Sequence, residues 1–120
     1  MTVANDSERD ALTYQILGCF FLVYRTLGYG FLESVYHESM RVALRNAGLS
    51  AMSEGSLPIH FLGERVGAYR ADLIVERTVL VEIKAASVLD RTHRAQLLNY
   101  LKVTEIENGL LLTFGPKLQY

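Results

Sequence analysis

The chain has 120 residues, half of them apolar or aromatic, and a formal net charge of −1. That length makes one domain with room for a real core, and that composition excludes disorder. The near-neutral charge excludes a global basic footprint for nucleic acid, so any such binding has to come from a local patch or a metal.

From the N-terminus, Asn5, Asp6 and Ser7 are helix N-caps by residue type, and Glu8 and Asp10 suit the positive end of the helix dipole. Leu12, Ile16, Cys19, Phe20 and Val23 then recur at helical spacing, and Phe21 and Leu22 widen the apolar surface. The apolar run Ile16 to Tyr24 is shorter than the roughly 20 residues of a membrane span and lacks the flanks of a signal peptide. It reads as a buried helix of a cytoplasmic protein. The lone cysteine, Cys19, excludes an internal disulfide, points to a reducing compartment and reads as a small buried hydrophobe. Gly28-Tyr29-Gly30 ends the helix.

A second helix is expected from Phe31 to Ala47, with Leu32, Val35, Tyr36, Met40, Ala43 and Leu44 on one side and Gly48 as its stop. The period then changes. Leu57 to Leu62 reads as a strand, Gly63-Glu64 as a turn and Arg65 to Val75 as a second strand. Glu76-Arg77-Thr78 reads as a tight turn and Val79 to Ala85 as a third strand. Leu73-Ile74-Val75 and Val79-Leu80-Val81 are continuously apolar, as in strands covered on both faces. A third helix, capped by Asp90, is expected over Leu89 to Thr104, and a last strand over Gly109 to Phe114 before Gly115-Pro116. The order is α-α-β-β-β-α-β, an α/β sandwich around a small mixed sheet, as one domain over residues 1–120.

Two charged clusters interrupt the apolar strands: Asp72 and Glu82-Ile83-Lys84. Burying charge costs several kcal/mol per ion even when it is paired, so such residues have a use. If the turn centres on Arg77, cross-strand partners have numbers summing to 154. Asp72 then stands opposite Glu82 with Cβ atoms about 5 Å apart, and Lys84 shares their face. Two carboxylates at that distance need a positive charge between them. Lys84 is one candidate, as a structural ion-pair network at a sheet edge. A hard divalent ion is the other, held by Asp72, Glu82 and the Ile83 carbonyl, with Lys84 orienting a water and steadying phosphate charge.

The chain resembles a known family in these residues. Its Asp72…Glu82-x-Lys84 hairpin is similar to the core of the PD-(D/E)xK nuclease superfamily, whose α-β-β-β-α-β order matches the reading above. More closely, it resembles the small GxxExxY proteins. The stretches that carry the likeness are Leu27 to Tyr36, Tyr69 to Leu73, Val81 to Ala85, His93 to Leu101 and Gly109 to Gly115, from about residue 10 to the end. The resemblance implies that Glu33, within Gly30-x-x-Glu33-x-x-Tyr36, is a helix-borne acid beside the metal. It also implies that Gln96, with Tyr100 four residues on, supports the site from the third helix. His93 lies one turn earlier on nearly the same face. Two positions depart from the family pattern. Ala71 stands where a proline is usual, and His37 stands where an acid usually follows the tyrosine, with Glu38 displaced by one.

The expected activity is that of a metal-dependent nuclease, hydrolysing DNA or RNA with Mg²⁺ or Mn²⁺, restriction-endonuclease-like in its core. Metal ligands would be Asp72, Glu82, Ile83 and Glu33; catalytic residues would be Glu33, Asp72, Glu82, Lys84, Gln96 and Tyr100. Arg65, Arg91, Arg94, Lys102 and Lys117 offer a modest basic patch. The alternative is a catalytically inactive binding or assembly module on the same fold, with the first helix and a sheet edge favouring a homodimer. A further reading is a small-molecule pocket between Glu33, Tyr36 and Tyr100.

Overall fold

Among the described residues (6–53, 56–88, 90–104 and 106–120; side chains from residue 10, less residue 103), the computed structural model of the chain holds three helices and seven strands. Asn5 and Leu89, and the side chains of Asp6, Ser7 and Glu8 on which the expected caps and dipole contacts rest, lie outside these.

Helix α1 (Asp6–Leu27) buries Ile16, Cys19, Phe20 and Val23, the stripe read from the sequence. Burial pushes the Cys19 thiol up, as befits a small core hydrophobe. Helix α2 (Glu33–Asn46) buries Tyr36, Met40, Ala43 and Leu44. It starts later than expected because Leu32 is extended, with ψ 149°, and Leu32 is exposed instead of packed. At its other end Gly48 and Leu49 donate to the carbonyls of Arg45 and Leu44, which would otherwise lack partners.

The strands are β1 (Ala51–Ser53), β2 (Ser56–Phe61), β3 (Glu64–Arg70), β4 (Leu73–Val75), β5 (Val79–Lys84), β6 (Asn108–Phe114) and β7 (Leu118–Gln119), with helix α3 (Arg91–Thr104) between β5 and β6. Five of them form a sheet in the order β1-β4-β5-β6-β7, parallel at β5–β6 and antiparallel elsewhere. Strands β2 and β3 make a separate hairpin.

Alternation along the strands divides the core in two. Leu73, Val75, Val79, Val81, Ile83, Leu112 and Phe114 pack with α1 and α2. Ile74, Leu80 and Leu111 face the other way and pack with Leu97 of α3 and Tyr69. The continuously apolar segments are therefore covered on both faces, as expected, and the mixed α/β class with helices on both sides of the sheet holds.

Three details differ from expectation. The single strand expected over Arg65–Val75 is two strands in different sheets, broken at Ala71-Asp72. Alternation runs through the break, so apolar pattern alone does not reveal it. Strands β1 and β7 are too short to give a period. The hairpin turn lies at Leu62-Gly63, with φ 49° and 81°, and Glu64 already pairs with Phe61.

The β4–β5 register is the one the turn predicts: Leu73 opposite Val81, Ile74 opposite Leu80, Val75 opposite Val79. Glu76 and Arg77 adopt left-handed conformations (φ 52° and 59°), and Thr78 donates to the Val75 carbonyl at 3.0 Å to close the turn. Glu76 also ties β1 down, since its backbone donates to the Ser50 carbonyl and its carboxylate accepts the Ser50 N–H at 2.7 Å.

Candidate active site

The site begins with the loop between α1 and α2. Gly28 and Gly30, at φ 70° and 107°, turn the chain through conformations that L side chains rarely adopt. Tyr36 then locks the loop. Its hydroxyl donates to the Gly28 carbonyl at 2.8 Å and accepts the Phe31 N–H at 3.3 Å, and its ring stacks on Phe114 at 4.1 Å between centroids. Tyr36 is fully buried. Glu33, one turn earlier, is thereby set at the rim of the sheet, where its Oε1 accepts the Ala85 N–H at 3.1 Å.

Asp72 lies just before β4, at the position the register extends opposite Glu82. Its Oδ2 accepts the Ile83 N–H at 2.7 Å, so a side-chain oxygen meets β5 where the β4–β5 ladder ends. Glu82 and Lys84 alternate with the buried Val81 and Ile83, and so lie on the same face as Leu80.

The electrostatics of this cluster are unusual for carboxylates. Burial pushes Glu82 up to about 7, against the opposing pull of Lys84 and of the Asp72 backbone N–H. Burial also raises Asp72, although the Ile83 N–H, His37 and Lys84 all favour its charged form. Glu33 adds a like charge that raises both. Glu82 Oε1 is buried without a hydrogen-bond partner.

His37 joins the cluster. Its Nε2 lies 3.5 Å from Asp72 Oδ2 and 3.9 Å from Glu33 Oε2, and it is buried without a hydrogen-bond partner. The sequence holds a signal for this: Glu33 and His37 are i,i+4 neighbours on one helical face. What it does not give is the approach of that face to Asp72.

The third helix contributes differently from expectation. Leu97, not Gln96, faces the sheet, and Gln96 is exposed. Tyr100 is half-buried and stacks on Tyr69 at 3.4 Å, which joins α3 to β3. His93 is half-buried, with Nδ1 lacking a hydrogen-bond partner. The pocket expected between Glu33, Tyr36 and Tyr100 does not form. Tyr36 is fully buried on the α1–α2 side of the sheet, and Tyr100 packs on the opposite side.

Among the described residues, no group of three or more His, Cys, Asp and Glu side chains is placed to hold a metal ion. The donors are arranged as an open set of two carboxylates and nearby backbone, with a third acid on α2. This set fits a hard divalent cation in the respects the structure displays. Two carboxylates are held above their ordinary range by burial, and one carries an unpartnered buried oxygen. No described helix is long and apolar enough to cross a membrane.

A family model described as the PD-(D/E)XK nuclease superfamily matches residues 10–120. Comparison with curated proteins and with solved structures gives no match. Nucleases of this superfamily act on nucleic acid and typically use divalent metals. The match spans all the structural elements that build the cluster of Glu33, Asp72, Glu82 and Lys84, and the chain belongs to the PD-(D/E)XK nuclease superfamily.

Proposed function

We propose that this protein is a nuclease of the GxxExxY type, dependent on Mg²⁺ or Mn²⁺, whose 120 residues act as one cytoplasmic domain. Asp72, Glu82 and the Ile83 carbonyl would hold the metal, with Glu33 as a further acid. The observation that carries this reading is the convergence of Asp72 and Glu82, both raised by burial, with Lys84 acting on both. When bound, a divalent ion supplies charge that lowers the pKa of water and offsets that of the phosphate.

The chain's own residues do the rest. Lys84 donates hydrogen bonds to the attacking water and to the phosphate, steadying the charge that gathers there. The water's proton passes to solvent as the new O–P bond forms. The bond to the leaving sugar oxygen breaks, and that oxygen departs with the electron pair and is protonated from solvent. Asp72, fixed by the Ile83 N–H, and Glu33, fixed by the Ala85 N–H, keep the site in register.

The second reading, a binding or assembly module without turnover, draws on His37. An imidazole beside Asp72 and Glu33 stands where a cation would otherwise neutralise them. Self-association through α1, where Phe21 and Leu22 are partly exposed, belongs to that reading. Calorimetric titration with Mg²⁺ and Mn²⁺ separates the two. The nuclease reading expects binding to the wild type and a loss of tenfold or more in Asp72→Asn, at about 1.4 kcal/mol per tenfold. Equal affinity in both proteins, with the fold intact, favours the module.

A further inference from the structure

A groove of about 540 Å³ opens at the β7 edge of the sheet, lined by Arg91, Arg94, Leu118, Gln119 and Tyr120. Its relation to the carboxylate cluster follows from strand register. Lys84 pairs with Thr113 of β6, and Thr113 pairs with Gln119 of β7. Gln119 therefore stands two strand spacings, about 10 Å, from Lys84 on the same row of the sheet. Helix α3 begins after the short loop that leaves β5 beyond Lys84, so Arg91 and Arg94 lie on its first turn at the same end of the sheet.

The chemistry of the groove is that of a phosphate grip. Arg91 and Arg94 are i,i+3 neighbours and share a helical face. Both are exposed, and neither guanidinium has an ion-pair partner among the described residues. The adjacent acid, Asp90, is engaged with the Thr92 N–H at 2.8 Å, where it caps α3. Tyr120 is 58% exposed, and its ring is held edge-on by Phe20 and Phe21 at 6.3 and 5.8 Å. A braced and exposed aromatic ring beside paired arginines is a stacking platform next to a backbone contact.

We propose that this groove holds an unpaired nucleic-acid strand, with Arg91 and Arg94 on a phosphate and a base against Tyr120. The site lies about one or two nucleotides from the bond at Lys84. An unpaired strand is the occupant because a base must leave its stack to reach the ring. A chain of net charge −1 also has no broad field for a duplex backbone. The proposal rests on the nuclease reading of the neighbouring cluster and adds the substrate's path to it.

The test is fluorescence anisotropy with short labelled oligonucleotides in Ca²⁺, using single-stranded DNA, single-stranded RNA and duplex DNA as separate probes. The proteins are wild type, Arg91→Ala/Arg94→Ala, Tyr120→Ala and a charge-matched control, Arg25→Ala/Arg45→Ala. The groove predicts that the arginine pair weakens single-strand binding about tenfold at low salt and lowers the salt slope by about 1–2. It also predicts a smaller loss in Tyr120→Ala and none in the control. An arginine effect no larger than the control's, in a wild type that binds and cleaves, overturns the groove and leaves the nuclease reading standing. Arginine-dependent binding with no cleavage in any divalent metal does the reverse. Equal arginine dependence on duplex DNA overturns the unpaired strand, and absence of binding to any probe overturns both.

Discussion

At Glu82, burial and charge pull in opposite directions. Its folded-state pKa of about 7 lies above the ordinary 4.5, so the folded protein resists its ionisation. Below 4.5 the group is protonated folded or unfolded and costs nothing. As pH rises, the unfolded chain ionises first, so stability falls until the folded pKa is passed and stays low beyond it. The penalty above neutrality is on the order of 2 kcal/mol once partial exposure is allowed for. Glu82→Gln should therefore melt higher than wild type well above pH 7 without divalent metal. The gap should close as pH falls towards 4.5. Parallel melting curves at both ends of that range would contradict this picture of Glu82. Asp72 pulls in the same sense and is common to both proteins, so it does not obscure the difference.

At the scale of the elements, the amino-acid pattern carries some parts of the site and not others. Asp72 and Glu82 are legible as partners because a tight turn fixes register and register fixes pairing. Helix α2 is legible from its stripe, and Asp90 from its residue type. The break between β3 and β4 is not, because apolar alternation continues through it while Asp72 swaps a ladder bond for a side-chain one. The choice of Leu97 over Gln96 as the sheet-facing residue is not either. One position on a helix is about 100° of rotation, and only tertiary packing sets that phase. Tyr36 shows the other side of motif reading. Within the Gly30-x-x-Glu33-x-x-Tyr36 spacing, the tyrosine is the buried anchor and the glutamate the exposed group it positions. Tyr36→Phe keeps the ring on Phe114 and loses both hydroxyl hydrogen bonds. It should cost about 1–3 kcal/mol in denaturant unfolding, and a change under about 0.5 kcal/mol would show that the loop does not depend on it.

At the scale of the whole molecule, the groups of the proposed site gather where several chain ends meet. Glu33 opens α2, Asp72 precedes β4, Lys84 closes β5 and Arg91 opens α3. Open α/β sheets bind ligands at the carboxyl ends of their strands, where backbone groups are free and loops can vary. The crowding there is tight. A side chain added at Gly115 would run into the Ala86 carbonyl, in the loop that follows Lys84. Tyr24 donates to the Gly115 carbonyl at 2.7 Å and holds the same corner from α1. Helix α1 thus braces the end of the sheet at which β5 closes.

The measurement that tests this account most directly is cleavage of supercoiled plasmid, single-stranded DNA and RNA in Mg²⁺ or Mn²⁺. Wild type would be compared with Asp72→Asn and Lys84→Ala. The account predicts divalent-dependent cleavage of at least one substrate, reduced at least a hundredfold in both variants while their melting temperatures stay near wild type. No cleavage of any substrate, with Lys84→Ala clearly destabilised, would mean that Lys84 neutralises the two acids as a structural ion pair and that the fold serves binding.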